Sequence, residues 1–271
     1  MSPIENLARR RPPAIEAQEW QLRLELAACY RLFAWLGWTE SIYNHITVRV
    51  PGPEPHYLIN PFGLNYDEVT ARNLVKINLQ GDVLDGSTYP VNRAGFVIHS
   101  AIHAARADAH CVIHTHTTAG VAVACKDGGL NPHNFFGAML YGQIAYHEFE
   151  GVTTDAAEQP RLVASLGDKP ILILRNHGLL VTGQQVPQAL QTYWTLQRAC
   201  EVQLATESMS GPNRLIRPEV FAAVPAQVAG MKMPDTGSGG RYGQIFYDAM
   251  LRRAGIRFED IAGDCTAKSP D

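Results

Sequence analysis

The segment His110 to Thr117, HCVIHTHT, constrains the fold of this chain more than any other part of it. Successive side chains of a β-strand point to opposite faces, so His114 and His116 would share one face while Ile113 lies on the other. Two imidazoles at adjacent same-face positions can hold one metal ion. The alternative is a pair of histidines that hydrogen-bond in a polar cleft, which is the favoured interpretation for an isolated HxH pattern.

A third histidine changes that balance. His177 lies in RNHGLL, where Asn176 and Gly178 favour a turn between the strand candidates ILIL and LLV. Three histidine ligands leave one coordination position open, as in a catalytic site, whereas a structural zinc site normally has four protein ligands. The sequence therefore predicts a divalent metal ion held by His114, His116 and His177, and ligand type alone does not decide which metal it is.

The composition is that of an ordinary globular protein. Over 271 residues, 46% are hydrophobic and 18% charged, with a net charge of −3, which favours neither a nucleic-acid nor a membrane partner. Five cysteines without CxxC spacing predict reduced thiols. No apolar run reaches membrane-spanning length and the N-terminus lacks a signal-peptide core, so we expect a cytoplasmic protein.

Helix and strand candidates alternate along the chain. Strands are predicted at Asn44–Val50, His56–Asn60, Leu74–Leu79, Val83–Leu84, Ala109–Thr117, Gln143–Phe149, Ile171–Leu174 and Leu179–Val181. Helices are predicted at Ala17–Leu36, Gly95–Ala105, Ala119–Cys125, Asp155–Leu166, Pro187–Met209 and Arg241–Arg253. The glycine turn at 80–82 predicts that the strands on either side of it pair antiparallel.

Three regions follow from these patterns. Residues 1–18 form a polar N-terminal lead and residues 19–210 form the main domain. Residues 211–271 form a C-terminal extension, in which DTGSGG resembles a flexible linker, a terminal helix follows, and the last residues are expected to be disordered.

Five segments in combination resemble the class II aldolase/adducin family. They are YNHITVRV at 43–50, INPFGLNYDEV at 59–69, AGFVIHSAIHAARADAHCVIHTHT at 94–117, YHEFEG at 146–151 and RNHGLL at 175–180. The resemblance spans roughly residues 19–208. It implies an α/β fold, a three-layer α/β/α sandwich around a mainly antiparallel central sheet. It also implies a homotetramer with active sites at subunit interfaces, and a divalent ion, commonly zinc with Mn²⁺ and Co²⁺ as alternatives, on the three histidines.

The chain departs from the family's sugar-phosphate aldolases at the helix before the HxH strand. Where those enzymes carry an acid/base glutamate, this chain has Gly95, and Arg93 and Ala94 replace the small hydroxyl residues that hold the substrate phosphate. We therefore expect a small, unphosphorylated substrate. Arg93 could bind a carboxylate through its planar guanidinium, or it is an ordinary solvent-exposed arginine at a helix start.

The remaining site candidates follow from the matching segments. The candidate substrate-binding residues are Asn44, Asn60, Gly63, Arg93 and Gly95. The candidates for proton transfer are Tyr146 and His45, for which aromatic packing and a hydrogen-bonded strand position are the respective alternatives. His147 lies next to Tyr146 on the opposite strand face, so at most one of the two reaches the site. His99 and His103 could form a metal-binding pair one helical turn apart, but packing and support of the site are the favoured interpretation.

Two hypotheses of different class result. The first is a metal-dependent lyase, an aldolase or decarboxylase, that acts on a small hydroxy-keto or carboxylate substrate. The second is a catalytically weak or inactive binding module, because the adducin-like members of the family share glycine in place of glutamate and bind other proteins. The three retained histidines favour the first hypothesis.

Overall fold

A computed structural model describes residues 11–152, 155–231 and 240–263, apart from the side chains of residues 93, 94, 240 and 241. The helices are α1 (Ala17–Leu36), α2 (Arg93–Ala105), α3 (Thr118–Ala124), α4 (Phe135–Met139), α5 (Gln159–Leu166), α6 (Val186–Glu207), α7 (Pro218–Gly230), α8 (Gly240–Ala254) and α9 (Phe258–Ile261). The strands are β1 (His45–Arg49), β2 (Tyr57–Ile59), β3 (Val75–Ile77), β4 (Cys111–Thr115), β5 (Ile144–His147), β6 (Ile171–Leu174) and β7 (Gly178–Gly183). Within the described ranges, no helix has the length and apolar character needed to cross a membrane.

The strands form one mixed sheet in the order β3-β2-β1-β4-β7-β6-β5. The β5–β6 pair is parallel. The other neighbouring strands pair antiparallel. The sheet is therefore mainly antiparallel, as the sequence predicted, and β4 lies at its centre with β1 on one side and β7 on the other.

Helices cover both faces of this sheet, which confirms the predicted three-layer α/β/α architecture. On one face, Cys111 and Ile113 of β4 belong to the large apolar core, which also contains residues of α1 and α6. On the opposite face, Val112 packs in a second core with Ile98 of α2 and Leu162 of α5. The alternating residues of HCVIHTHT thus form a strand whose two faces are both buried.

The glycine hairpin is shorter than its sequence suggests. Gly81 adopts a left-handed φ of 85°, as a tight turn requires, and its backbone N–H donates to the Asn78 carbonyl over 3.1 Å. Beyond the turn, Val83 pairs with Ile77 through an isolated bridge. The strand expected at 83–84 is therefore reduced to this single bridge.

Three helices, α4, α7 and the four-residue α9, were not predicted. Helix α4 lies in a stretch rich in Gly, Asn and Pro, and it starts where the Asn134 side chain accepts a hydrogen bond from the Gly137 N–H over 2.8 Å. Helix α7 contains Pro225 in its interior, where a proline normally argues against a helix, although Phe221, Val224 and Val228 are half-buried at helical spacing. The expected linker DTGSGG lies outside the described residues apart from its last glycine, Gly240, which starts α8, and the expected disorder falls on positions 264–271, which also lie outside them.

The C-terminal helices pack against the main domain. Tyr247 of α8 is fully buried and its hydroxyl donates to the Glu25 carbonyl of α1 over 2.6 Å. The Ala71 N–H donates to the Ile261 carbonyl of α9 over 2.8 Å. The division at residue 210 stays a prediction, since these contacts describe where the extension lies and not whether it folds separately.

A buried ion-pair network fixes α1 against the edge of the sheet. Arg23 is 1% exposed, and its guanidinium donates to the Glu19 carboxylate over 2.8 Å, to the Leu74 carbonyl over 2.6 Å and to the Asp85 carboxylate over 2.9 Å. Glu19 is also 2.7 Å from the Lys76 ammonium. The charges at this buried position are therefore matched by partners of opposite charge.

Replacing Arg23 with leucine is expected to lower the free energy of unfolding by about 3–5 kcal/mol, because Glu19 and Asp85 would lose their buried partner. Urea denaturation measures this difference. The matched control is Arg257→Leu, which removes an exposed arginine paired with Asp260. Equal effects of the two substitutions would contradict a stabilising role for the buried network.

Candidate metal centre

The structure brings His114, His116 and His177 together at one end of the sheet. Their candidate ligand nitrogens all lie within 4.8 Å of one another, and the Nε2 atoms of His114 and His116 are 2.9 Å apart. The ring centroids are separated by 4.7 Å, 4.9 Å and 4.8 Å. An N···N separation of this order suits nitrogen atoms that share one ion at about 2.0–2.1 Å each.

The position of His177 depends on the turn between β6 and β7. Asn176 adopts a left-handed φ of 56°, a conformation that asparagine tolerates better than most residues. A Cβ on Gly178 would overlap the Thr115 carbonyl oxygen and lie 3.0 Å from the ring of His116. Glycine therefore lets the turn approach β4 closely enough to place His177 beside the other two histidines.

Hydrogen bonding orients His114 for metal binding. Its Nδ1 lies 3.0 Å from the Leu179 carbonyl oxygen. Because a carbonyl only accepts, Nδ1 carries the proton and the lone pair of Nε2 faces the cluster. A backbone carbonyl that fixes the tautomer in this way is a common support for a metal-binding histidine.

Burial keeps the cluster uncharged. It lowers the pKa of His114 well below its ordinary value, with the neighbouring histidines adding to the effect. Burial also lowers the pKa of His177 to about 4, and the His116 pKa is lowered for the same reason. Neutral imidazole is the form that binds metals, so the donor set fits a divalent cation.

A cavity of about 330 Å³ opens beside the three histidines. It is lined by Tyr43, Asn44, His45, Phe62, Asn92, Gly95, Ile98, His114, His116, Phe149, Gly151, Val152 and His177. Asn44 adopts a left-handed φ of 72° and is 1% exposed. Neither atom of its side-chain amide has a hydrogen-bond partner among the described residues, which leaves a donor and an acceptor for a ligand.

His45 occupies the space that a side chain at position 95 would need. A Cβ built on Gly95 would overlap the Nε2, Cδ2 and Cε1 atoms of the His45 ring. Burial lowers the pKa of His45 to about 3, with further lowering from His116 and His177. The glycine in α2 and the histidine in β1 are therefore sterically linked: one makes room for the other.

A hydrogen-bonded chain of polar side chains supports this wall of the cavity. His103 Nδ1 donates to the Ala109 carbonyl over 2.8 Å, so its Nε2 accepts from the Thr47 hydroxyl over 2.8 Å. The same hydroxyl accepts from His99 Nδ1 over 2.7 Å, which leaves the lone pair on His99 Nε2. That buried nitrogen has no partner among the described residues, and the His99 ring lies edge-on to His45 with centroids 5.7 Å apart. His99 and His103 therefore support the site, as the sequence suggested.

Other predicted residues lie outside the cavity within one chain. Asn60 is buried with its side-chain oxygen 3.0 Å from the Tyr30 hydroxyl, and Gly63 follows the lining residue Phe62 in a turn with a φ of 103°. The Tyr146 hydroxyl accepts from the Leu130 N–H over 3.1 Å.

The remaining predicted residues are Tyr146, His147 and Arg93. The Arg175 guanidinium lies 4.4 Å from the centroid of the Tyr146 ring. The imidazole of His147 contacts Ser165 at 2.9 Å and Glu158 at 3.2 Å, and neither Tyr146 nor His147 lines the cavity. The backbone of Arg93 starts α2, and its side chain is outside the described residues.

Sequence reasoning missed the apolar lining and Thr47. Phe62 stands between Asn60 and Gly63 in the NPFG turn, and Phe149 follows the YHE segment. Both lie next to polar residues of the same motifs, and apolar side chains in turns carry no signal of a binding site. Thr47 shares the inward face of β1 with His45, so its position at period two was the available signal.

The mixed sheet and the histidine cluster point to one protein family. The family model described as "Class II Aldolase and Adducin N-terminal domain" matches residues 24–204. The chain belongs to this family. It is similar to alpha-adducin of Rattus norvegicus, with 47% identity over 220 residues that make up 80% of this chain and 30% of that protein. Most of adducin thus has no counterpart here.

Two solved structures extend the similarity to the fold. An aldolase II superfamily protein from Pseudomonas syringae is 43% identical, with a TM-score of 0.79 and coverage of 89% of this chain and 97% of that chain. L-fuculose 1-phosphate aldolase from Glaciozyma antarctica PI12 is 28% identical, with a TM-score of 0.76 and coverage of 93% and 98%. The family therefore includes both aldolases and adducins among the relatives of this chain.

The steric link between residues 45 and 95 predicts a coupled pair. Gly95→Ala is expected to destabilise the protein by about 1–3 kcal/mol or more through overpacking against His45. In a His45→Ala background the same change should cost far less, with a coupling energy of about 0.5–3 kcal/mol. Denaturant unfolding of the single and double variants measures the cycle.

Gly128→Ala is the control for the alanine substitution itself, because an added Cβ there would contact nothing within 4 Å. Additive effects of His45→Ala and Gly95→Ala would show that the two positions do not compete for space.

Proposed function

We propose that this protein is a metal-dependent carbon–carbon lyase that acts on a small, unphosphorylated hydroxy-keto or carboxylate substrate. The observation that carries the proposal is the convergence of His114, His116 and His177 beside a cavity, with the His114 tautomer fixed by Leu179. A divalent ion, by preference Zn²⁺ with Mn²⁺ and Co²⁺ as alternatives, would supply Lewis acidity to adjacent oxygens of the substrate.

The other roles are assigned to residues of the cavity wall. Asn44 offers its unpaired amide to a substrate oxygen, and Gly95 leaves the space in which His45 lies. His45 Nε2 is the candidate for moving a proton, because the ring lines the cavity and position 95 carries no carboxylate. Arg93 is a candidate for binding a substrate carboxylate.

Three candidates have weaker support within a single chain. Asn60, Gly63 and Tyr146 do not line the cavity, and Tyr146 already packs against Arg175. A homotetramer with sites at subunit interfaces would give such residues a route to a neighbouring site. Native mass spectrometry tests this assembly.

A cytoplasmic location stays a prediction. It is supported by the free thiols of Cys29, Cys111, Cys125 and Cys200.

The second candidate function is an adducin-like binding module without significant turnover. The 47% identity to alpha-adducin and the glycine at position 95 favour it. The two candidates differ in what they require of the histidines: a binding module needs no metal, whereas the lyase does.

Metal analysis tests the first requirement. The purified protein is expected to bind about one equivalent of zinc per chain, and His114→Ala and His177→Ala are each expected to lose most of it, because three nitrogen donors would fall to two. Inductively coupled plasma mass spectrometry measures the content. His110→Ala, an exposed histidine just before β4, is the matched control and should keep its metal. Equal metal content in all variants would contradict the assigned centre.

Turnover tests the second requirement. The zinc-loaded protein is expected to release aldehyde, pyruvate or carbon dioxide from hydroxy-keto acids or aromatic carboxylates. With the substrate found, His45→Ala should lower kcat by about 10²–10⁴-fold, the usual contribution of a positioned acid or base. Stoichiometric zinc without product from any of these classes would support the binding module instead.

A further inference from the structure

The cavity is lined by both polar and apolar side chains. The histidine cluster and Asn44 supply polar atoms near the metal centre. Much of the remaining wall consists of Tyr43, Phe62, Ile98, Phe149 and Val152. These side chains come from separate segments of the chain, before β1, after β2, in α2 and after β5, so the apolar surface is a property of the folded site.

Phe149 lies near the candidate metal centre, and Tyr43 lies next to Asn44. The Phe149 ring lies edge-on to His177, with centroids 6.5 Å apart and planes at 76°. On the other side, Tyr43 precedes Asn44 and its ring is 6.5 Å from that of Phe62. Tyr43 is 51% and Phe149 53% exposed, so each ring keeps apolar surface that a ligand could cover.

The same lining is poorly suited to a sugar phosphate. Among the side chains that the structure describes, no lysine, arginine, aspartate or glutamate lines the cavity, and Arg93, whose side chain is not among them, is the candidate for a single carboxylate. A polyhydroxylated or phosphorylated chain would lose water against the phenylalanine and valine side chains without new hydrogen bonds there, which is unfavourable. An apolar ring gives up few hydrogen bonds to water there, and the burial of its apolar surface favours binding.

The size of the cavity limits the ligand. Its volume of about 330 Å³ is at the small end of the range of roughly 300–1,000 Å³ found for small-molecule sites. The space suits one ring together with one short chelating group.

We propose that the site takes a small monocyclic aromatic compound whose single oxygen-rich end, a hydroxy-carbonyl or carboxylate group, faces the three histidines and Asn44. The ring then lies against Phe149 and the Tyr43–Phe62 pair. This inference rests on the proposed metal centre and narrows its substrate class.

Two hydroxamic acids with the same chelating group separate the contribution of the ring. Benzohydroxamic acid is expected to bind the zinc-loaded protein about tenfold or more tightly than acetohydroxamic acid, because the phenyl group buries more apolar surface than a methyl group. Isothermal titration calorimetry measures both affinities at one pH, with phosphoglycolate as the phosphorylated comparison, for which weaker binding than for benzohydroxamic acid is expected.

Phe149→Ala is expected to reduce the preference for the phenyl compound at least threefold while zinc content is retained. The matched control is Phe135→Ala, which removes another exposed phenylalanine that does not line the cavity. The control should keep the full preference.

The outcomes distinguish this inference from the proposed function. Stoichiometric zinc with equal affinity for the two hydroxamates, with tighter binding of phosphoglycolate, or with a preference that Phe149→Ala leaves unchanged, would overturn the aromatic ligand alone. Failure to bind zinc, or to bind either hydroxamate, would overturn the metal centre and the aromatic ligand together.

Discussion

The pairing of β4 with β1 and β7 is the constraint on which the site depends. It sets His45 opposite His114 on one side and Leu180 opposite His114 on the other. A shift of one residue in either register would move His114 to the opposite face of the sheet. The apolar side chains of β4 resist such a shift because Cys111 and Ile113 are buried on one face and Val112 on the other. The position of the candidate metal ligand His114 is thus set by ordinary core packing.

The His45 ring fills the space beside Gly95, and this arrangement sets the charge of the cavity wall next to the three histidines. A carboxylate on α2 would have introduced a negative charge beside the histidines, whereas the imidazole from β1 brings a neutral ring. The ring is supported from behind by the chain of His103, Thr47 and His99. This member of the family therefore carries three clustered histidines and a neutral imidazole in the space beside Gly95.

The sequence predicted the sheet, the order of its main elements and the three converging histidines. These features were readable because they follow from local signals: period-two alternation in HCVIHTHT and a turn dictated by Asn176 and Gly178. The collision between His45 and a side chain at position 95 was not readable, because it depends on how α2 crosses β1 in space. Helix α7 was missed for a different reason, since Pro225 in its interior argues against a helix in the sequence.

One consequence of the separate faces of β4 concerns how this scaffold can change. The residues that hold the strand in place and the residues that present nitrogen atoms to the cavity are different side chains, and His116 is only half-buried. His177 is half-buried as well, so replacing either of these two histidines would remove few core contacts, whereas His114 is 1% exposed. Such a domain could lose its nitrogen donors by a few substitutions while its architecture persists, and this chain carries all three histidines.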